Sequence, residues 1–314
     1  MVNYVYHLKR NFACFLLLGI LISILIIFLG DYKNVIYNLK NIKIKVLLIL
    51  ISLTFVNQIL RFVKWEYLRK IINIDIEVKK SFLIFFSGFI FTITPAKIGE
   101  FAKAYFLKKY CSVRTNKGVS LVALERLNDV IGVALLALMG ISSFFFHIYS
   151  LAVFFIFIFA VIIFISNESL FSKFMNLFNK FSRLEKHSEN IRIIQRDIKK
   201  AFRIKALLFT SLLSSFSWFF ECLALYILLL SLNSEIPLLS ATFIFSFSSI
   251  FGSVLVLPGG LGAAEASFMG LLLLAGVDKS VAALSTIIIR IATLWFGVFV
   301  GIMAFIFLRK NKTL

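Results

Sequence analysis

The sequence predicts an all-α polytopic integral membrane protein, built as an inverted repeat with two broken, re-entrant helix hairpins. Three observations lead there. Of the 314 residues, 61% are hydrophobic and only 16% charged, where a soluble domain averages about 45–50% apolar and about 25% charged. Uncharged apolar runs suited to crossing roughly 30 Å of hydrocarbon recur along the whole chain. Two of the three prolines sit in matching helix breaks, one in each half.

The first apolar run, near 12–30, follows Lys9 and Arg10 and mimics a secretory leader. It is long and runs into "DYKN" rather than a small-residue cleavage site, so a retained span is expected. Further runs fall near 45–63, 81–94, 119–146, 149–166, 206–232, 238–257, 261–276 and 280–308. The one long polar stretch, 167–205, holds ten Lys/Arg and four Asp/Glu with Phe, Leu and Ile at helical spacing. That pattern predicts an amphipathic helix on the inner membrane surface. The chain therefore reads as a single membrane domain, 1–314: a first span and external loop (12–44), repeat 1 (45–146), an extra span and basic cytoplasmic linker (147–205), and repeat 2 (206–308).

Lys and Arg set the orientation. The 167–205 segment, the 64–80 loop (Lys64, Arg69, Lys70, Lys79, Lys80) and the C-terminal "RKNK" read as cytoplasmic, whereas the loops near 147–150, 233–237 and 277–279 are nearly free of basic residues and read as external. Both termini are then expected in the cytoplasm and the protein in the cell (plasma) membrane. The 31–45 loop carries four lysines on the outside in this scheme and fits it least. Runs 81–94 and 100–110 lie between two cytoplasmic loops, and runs 238–257 and 261–276 between two external ones. Each pair must dip in and return, which a bilayer tolerates only where protein or a water-filled cavity surrounds the broken backbone.

The breaks match in sequence. Pro95-x-x-Ile98-Gly99 has the spacing of Pro258-x-x-Leu261-Gly262, the latter with Gly259 and Gly260 between. Arg126 follows the first proline by 31 residues and Arg290 the second by 32. Upstream of each break lies a span with polar groups, Asn57 and Gln58 in one half and Glu221 in the other. Inverted repeats with discontinuous helices are a transporter feature, with the substrate at the repeat interface.

A charge at the bilayer centre costs ~2.5–3.5 kcal/mol on insertion scales, so each one wants a reason. Arg290 is ten residues into the last run, about 15 Å deep at 1.5 Å per residue. "ERLND" sets Glu125 and Asp129 on one helical face beside Arg126, and Glu100 and Glu265 follow the two breaks directly. The expected site is a polar cavity. Lys97, Arg126, Arg290 and the helix N-termini would bind an anionic head group. Glu100, Glu125, Asp129, Glu221 and Glu265 would orient the arginines, bind a cationic substituent or carry protons. Mutual pairing that only holds the bundle together is the plainer alternative, and for Glu100 and Glu265 helix capping is equally suited. Lys103, Lys108 and Lys109 read as interfacial anchors.

The net charge of +19 collects in the segments between apolar runs, with no nucleic-acid motif beside it. It fits the positive-inside rule and anionic lipid head groups, so no nucleic-acid partner is expected. Cys14, Cys111 and Cys222 are far apart, and His7, His147 and His187 have no ligand-spaced neighbours. Neither a metal nor a cofactor is expected, and no phosphate-binding loop or nucleophile elbow is present.

The stretches "TPAKIGEFAKAYFLKK", "ALERLNDVIGV", "LPGGLGAAEASFMGLLLLAGV" and "IIIRIATLWFGVFVG" resemble, in this order, the flippase-like family built on the transmembrane region of lysylphosphatidylglycerol synthases, over about Leu47 to Phe307. The resemblance implies a lipid translocase for an anionic or aminoacylated phospholipid or a polyprenyl-phosphate-linked lipid, with the paired re-entrant helices as its entry region. By motif position it points to Pro95, Gly99, Glu100, Glu125, Arg126, Asp129, Pro258, Gly262, Glu265 and Arg290. The bifunctional synthases continue into a soluble aminoacyltransferase domain where this sequence reads "LRKNKTL". The chain is therefore not expected to aminoacylate lipid itself. Two alternatives stand beside translocation: a membrane-embedded lipid-modifying transferase with Glu125 or Asp129 as base, and a non-catalytic scaffold. The expected partners are a membrane lipid substrate and anionic head groups. A homo-oligomer and a separate lipid-synthesis enzyme stay open as further partners.

Overall fold

The structure is a computed structural model and describes residues 17–94, 98–141, 156, 167, 188–255, 257 and 259–310. Pro95, Lys97, Pro258, the run near 149–166 apart from residue 156, and the first half of the 167–205 segment apart from residue 167 lie outside the described residues. Every described element is helical, as the apolar runs predict. The helices are α1 (Leu17–Leu29), α2 (Tyr32–Asn41), α3 (Ile44–Ile71), α4 (Val78–Ser87), α5 (Ala102–Cys111), α6 (Thr115–Gly140), α7 (Ser188–Ala201), α8 (Ile204–Ser231), α9 (Leu238–Val254), α10 (Ala263–Leu274), α11 (Lys279–Arg290) and α12 (Phe296–Lys310). Among the described residues, three stretches are long and apolar enough to cross a membrane: α3, α8, and α11 continuing through a π turn into α12.

The centre is the pair α3 and α8, each 28 residues and packed along one another. At 1.5 Å per residue each is about 42 Å long, enough to span the hydrocarbon and both interfaces. Their ends are alike in detail. Asn73 and Asn233 both take left-handed backbone, at φ 57 and 56. The Ile74 amide donates to the Arg69 carbonyl and the Ser234 amide to the Leu229 carbonyl, both at 3.0 Å. Asparagine tolerates this conformation, and the paired bonds satisfy carbonyls that a helix end would orphan. An extended segment then leads into α4 in one half and α9 in the other.

Each of those helices folds back on the helix after the break. α4 runs into a 3-10 turn, Gly88–Ile93, and packs against α5, while α9 packs against α10. The first break is closed by Thr94, whose hydroxyl donates to the Phe91 carbonyl (2.7 Å) and accepts from the Gly99 amide (2.8 Å). At the second, Gly259, Gly260 and Gly262 all have positive φ. The arms are short: α5 has 10 residues and α10 has 12. Two apolar cores result. One is built on Trp65, Phe85, Phe86 and Leu107, the other on Leu225, Phe243, Phe268 and Ile289. Ile93, Leu261, Leu294 and Val298 form a third, smaller cluster.

Three expectations change. The 64–80 segment is not a loop: α3 continues to Ile71 and α4 starts at Val78, so Lys64 and Arg69 are helical and buried. The 31–45 loop contains α2, bent 103° from α1 and packed on α11, with Asn38 donating to Ser280 at 3.0 Å. The basic amphipathic helix α7 docks on α6 and α3 through buried Asp197, Ile198 and Ala201, so protein covers that face.

Candidate functional site

Between the two halves lies a cavity enclosing about 730 Å³ of empty space, part of it open to the outside. Its walls come from nearly every central element: Gln58 and Arg61 of α3, Phe89 and Thr92 of the 3-10 turn, Glu100 after the first break, Arg126 of α6, Trp218 and Glu221 of α8, Ser249 and Ser253 of α9, Gly259 at the second break, and Arg290 at the end of α11. Of the residues singled out from sequence, Glu100, Arg126, Glu221, Gly259 and Arg290 therefore face one space. Glu125, Asp129 and Glu265 stand behind the wall as partners of the arginines.

On the first-half side, seven ionisable side chains form one network. Lys103 lies 3.0 Å from Glu100 and 2.7 Å from Glu125, and Arg126 lies 3.0 Å from both Glu100 and Asp129 and contacts Glu125. Arg61 adds contacts to Asp129 (3.1 Å) and Glu125 (3.4 Å), and Lys64 pairs with Asp129. Ser214 and the Trp218 indole, both at 3.1 Å, donate to the same Asp129 oxygen as Lys64. Burial of such charges is tolerable only when each is paired and hydrogen-bonded. Here four cations and three carboxylates alternate in mutual contact.

Aromatic faces complete the solvation of the cations. The Arg61 guanidinium sits over Phe89 at 5.2 Å and over Trp218 at 5.1 Å. The Lys103 ammonium sits over Phe85 at 4.8 Å. The space for Lys103 depends on Gly88: a Cβ there would lie 2.2 Å from Lys103 Cε. Lys103 is fully buried and is not an interfacial anchor, whereas Lys108 and Lys109 are exposed as expected of anchors.

The second-half side is built on Glu265. One of its oxygens accepts from the Gly262 amide and the other from Arg290 Nε, each at 2.6 Å. It thus caps α10 and holds Arg290 at once. Arg290 also donates to the Gly259 carbonyl at 2.8 Å, which ties the last span to the second break. Immediately after Arg290 the helix takes a five-residue π turn, Ile291–Trp295, a distortion common at functional sites.

Sequence reasoning missed Arg61, Lys64 and Lys103 as members of this site. All three lie near the ends of apolar runs, where basic residues are read as loop or anchor charges. The signal present was α3 itself: Gln58, Arg61 and Lys64 succeed one another at three-residue spacing. Gln58 Oε1, Arg61 Nε and Arg126 Nε are buried polar atoms with no hydrogen-bond partner, and all three residues line the cavity. Buried groups of this kind ordinarily find water or a ligand.

Residues 16–301 match the family model described as "Lysylphosphatidylglycerol synthase TM region". The chain belongs to this family. It is a family of membrane proteins linked to lipid handling, and the protein is membrane-embedded and multi-pass. Among its relatives, a UPF0104 membrane protein of Methanocaldococcus jannaschii is 30% identical over 71% of this chain and 95% of its own length. One of Methanothermobacter thermautotrophicus is 22% identical over 95% of each chain. A third, of Pyrococcus horikoshii, is 26% identical over 91% of this chain and 94% of its own. The four stretches that carry the resemblance, from "TPAKIGEFAKAYFLKK" to "IIIRIATLWFGVFVG", all lie inside the matched region.

Proposed function

We propose that this protein is a lipid translocase. It moves an anionic or modified phospholipid, or a polyprenyl-phosphate-linked lipid, between leaflets by passing the head group through the central cavity while the acyl tails stay in the bilayer. The observation that carries this reading is the convergence of Arg61, Arg126 and Arg290, with Glu100 and Glu221, on one cavity inside an otherwise apolar bundle. Intramembrane ionisable groups default to a pathway role, and a preformed set of donors can replace water around a phosphate.

The paired ends of α3 and α8 support an inverted repeat, and the short arms around the two breaks support hairpins that return to their own side of the bilayer. In this reading both termini are cytoplasmic, the membrane is the cell membrane, and the hairpins admit the lipid between them. Glu100, Glu125, Asp129 and Glu265 hold the arginines, and Glu221 faces the non-phosphate part of the head group.

The test is a panel of labelled lipids in liposomes containing the purified protein: anionic phospholipids, zwitterionic phospholipids and polyprenyl phosphates. Movement of at least one class, lost in folded Arg290→Ala and Glu125→Gln proteins, supports translocation. Recovery of a chemically altered lipid would favour a transferase instead. No movement of any class sinks uncoupled translocation.

A further inference from the structure

A second groove, remote from the central cavity, opens where the end of α3, the end of α7 and the start of α8 meet. Tyr67, Ile71, Lys200, Arg203, Lys205 and Ala206 line about 880 Å³ of empty space there, open on one side. None of these residues lines the central cavity.

We propose that this groove binds the phosphate of an anionic membrane lipid. Three basic side chains converge on it from two helices. Arg203 is also the N-cap residue just before α8, and no side chain caps that first turn. The partial positive charge at the start of a 28-residue helix therefore adds to Lys200, Arg203 and Lys205. The acid nearest along α7, Asp197, is fully buried, paired with Lys117 at 2.7 Å, and not part of the groove.

The shared chemistry is a phosphate, and the outer face of α8 selects a lipid over a free ion. Ile204, Leu208, Leu212 and Phe216 recur every four residues and are 68%, 55%, 65% and 55% exposed. They form one apolar stripe that starts at the groove and runs away from it. A head group in the groove places its acyl chains along that stripe, with Phe209 packed against Tyr67 beside it, ring centroids 4.7 Å apart and tilted by 57°. Basic pockets at the membrane surface between helices recognise anionic lipids in this way. The bound lipid would tie α3, α7 and α8 together at one end of the bundle.

The experiment is thermal unfolding of the detergent-purified protein with added phosphatidylglycerol, phosphatidylcholine or inorganic phosphate. Phosphatidylglycerol is expected to raise the melting temperature, and the other two to leave it unchanged. Lys200→Ala/Arg203→Ala/Lys205→Ala is expected to weaken the apparent affinity about tenfold or more. Arg203→Gln/Lys205→Gln, which alters only exposed side chains, does the same in part and covers the case of a misfolded triple variant. Lys33→Ala/Lys40→Ala/Lys43→Ala removes equal charge from an exposed segment and should keep the full shift, which separates the groove from general attraction. Arg290→Ala reports whatever part of the shift arises at the central cavity, so binding there and binding at the groove are told apart. An unchanged response in both groove variants, or an equal response to inorganic phosphate alone, overturns the proposal.

Discussion

The Gly259 amide donates to the Thr94 carbonyl at 3.3 Å, so the helix breaks of the two halves touch one another. Arg290 closes the same junction by donating to the Gly259 carbonyl. Two breaks and one intramembrane charge thus form a single structural unit at the wall of the cavity.

That unit depends on Gly259 as glycine. Its φ of +61 disfavours any side chain, and a Cβ would lie 3.2 Å from the Ile93 Cα. Gly259→Ala is expected to destabilise by about 1–3 kcal/mol. Gly270→Ala, within α10 and with nothing within 4 Å of the added Cβ, is expected to leave stability unchanged or raise it by about 0.5–1 kcal/mol. Thermal unfolding of the two variants checks the contrast, and a Gly259→Ala protein as stable as wild type would refute it.

Lys103 is the second test of the interior. Removing one member of a buried, paired set strands the others, at about 3–5 kcal/mol. Lys103→Met should lose that much, while Lys108→Met, five residues on and exposed, should lose little. Gly88→Ala should resemble Lys103→Met, because the new methyl occupies the lysine's space. Equal melting temperatures for the Lys103 and Lys108 variants would mean that the buried network adds nothing.

At the start of α11 the Asp278 carboxylate accepts from the Ser280 amide at 2.8 Å and its hydroxyl at 2.5 Å, and these bonds hold its pKa below the ordinary aspartate value. Because the folded pKa is the lower one, this cap stabilises at pH above the unfolded value, about 3.9, and is lost as pH falls through the folded value. Asp278→Asn at neutral pH should cost no more than ~1 kcal/mol, since asparagine also caps, and Asp278→Ala ~0.5–2 kcal/mol. The difference between wild type and Asp278→Ala should shrink below about pH 4 in melts recorded across pH. A difference that persists unchanged into that range would show that the ionised carboxylate is not what caps the helix.

Much of this architecture is legible in the sequence, and for physical reasons. Hydrocarbon thickness sets the run lengths, so α3, α8 and the α11–α12 span stand out as apolar stretches. The cost of buried charge marks Glu100, Glu125, Arg126, Asp129, Glu221, Glu265 and Arg290. The other half of each ion pair stays hidden. Arg61, Lys64 and Lys103 sit where an apolar run gives way to basic residues, and only the packing of α6 against α3 and α5 shows that they point inward. Hydropathy ends α3 at the first dense charges and so puts Lys64 in a loop. The left-handed Asn73 and Asn233 are a readable stop signal, and they place the end of α3 eight residues later than hydropathy does.

The central claim is that a head group passes through the cavity, and Gly297 allows a direct test of it. Gly297 lines the cavity from α12, and a Cβ there meets only Gln58 Nε2, at 3.4 Å, within 4 Å. Gly297→Leu therefore starts a side chain in the cavity with no backbone within 4 Å of its Cβ, and leucine suits a helix better than glycine. The measurement is transbilayer movement of labelled lipid in liposomes, wild type against Gly297→Leu at matched melting temperature. The account predicts movement in the wild type and its loss in the folded variant. Movement at the wild-type rate through a filled cavity would contradict it.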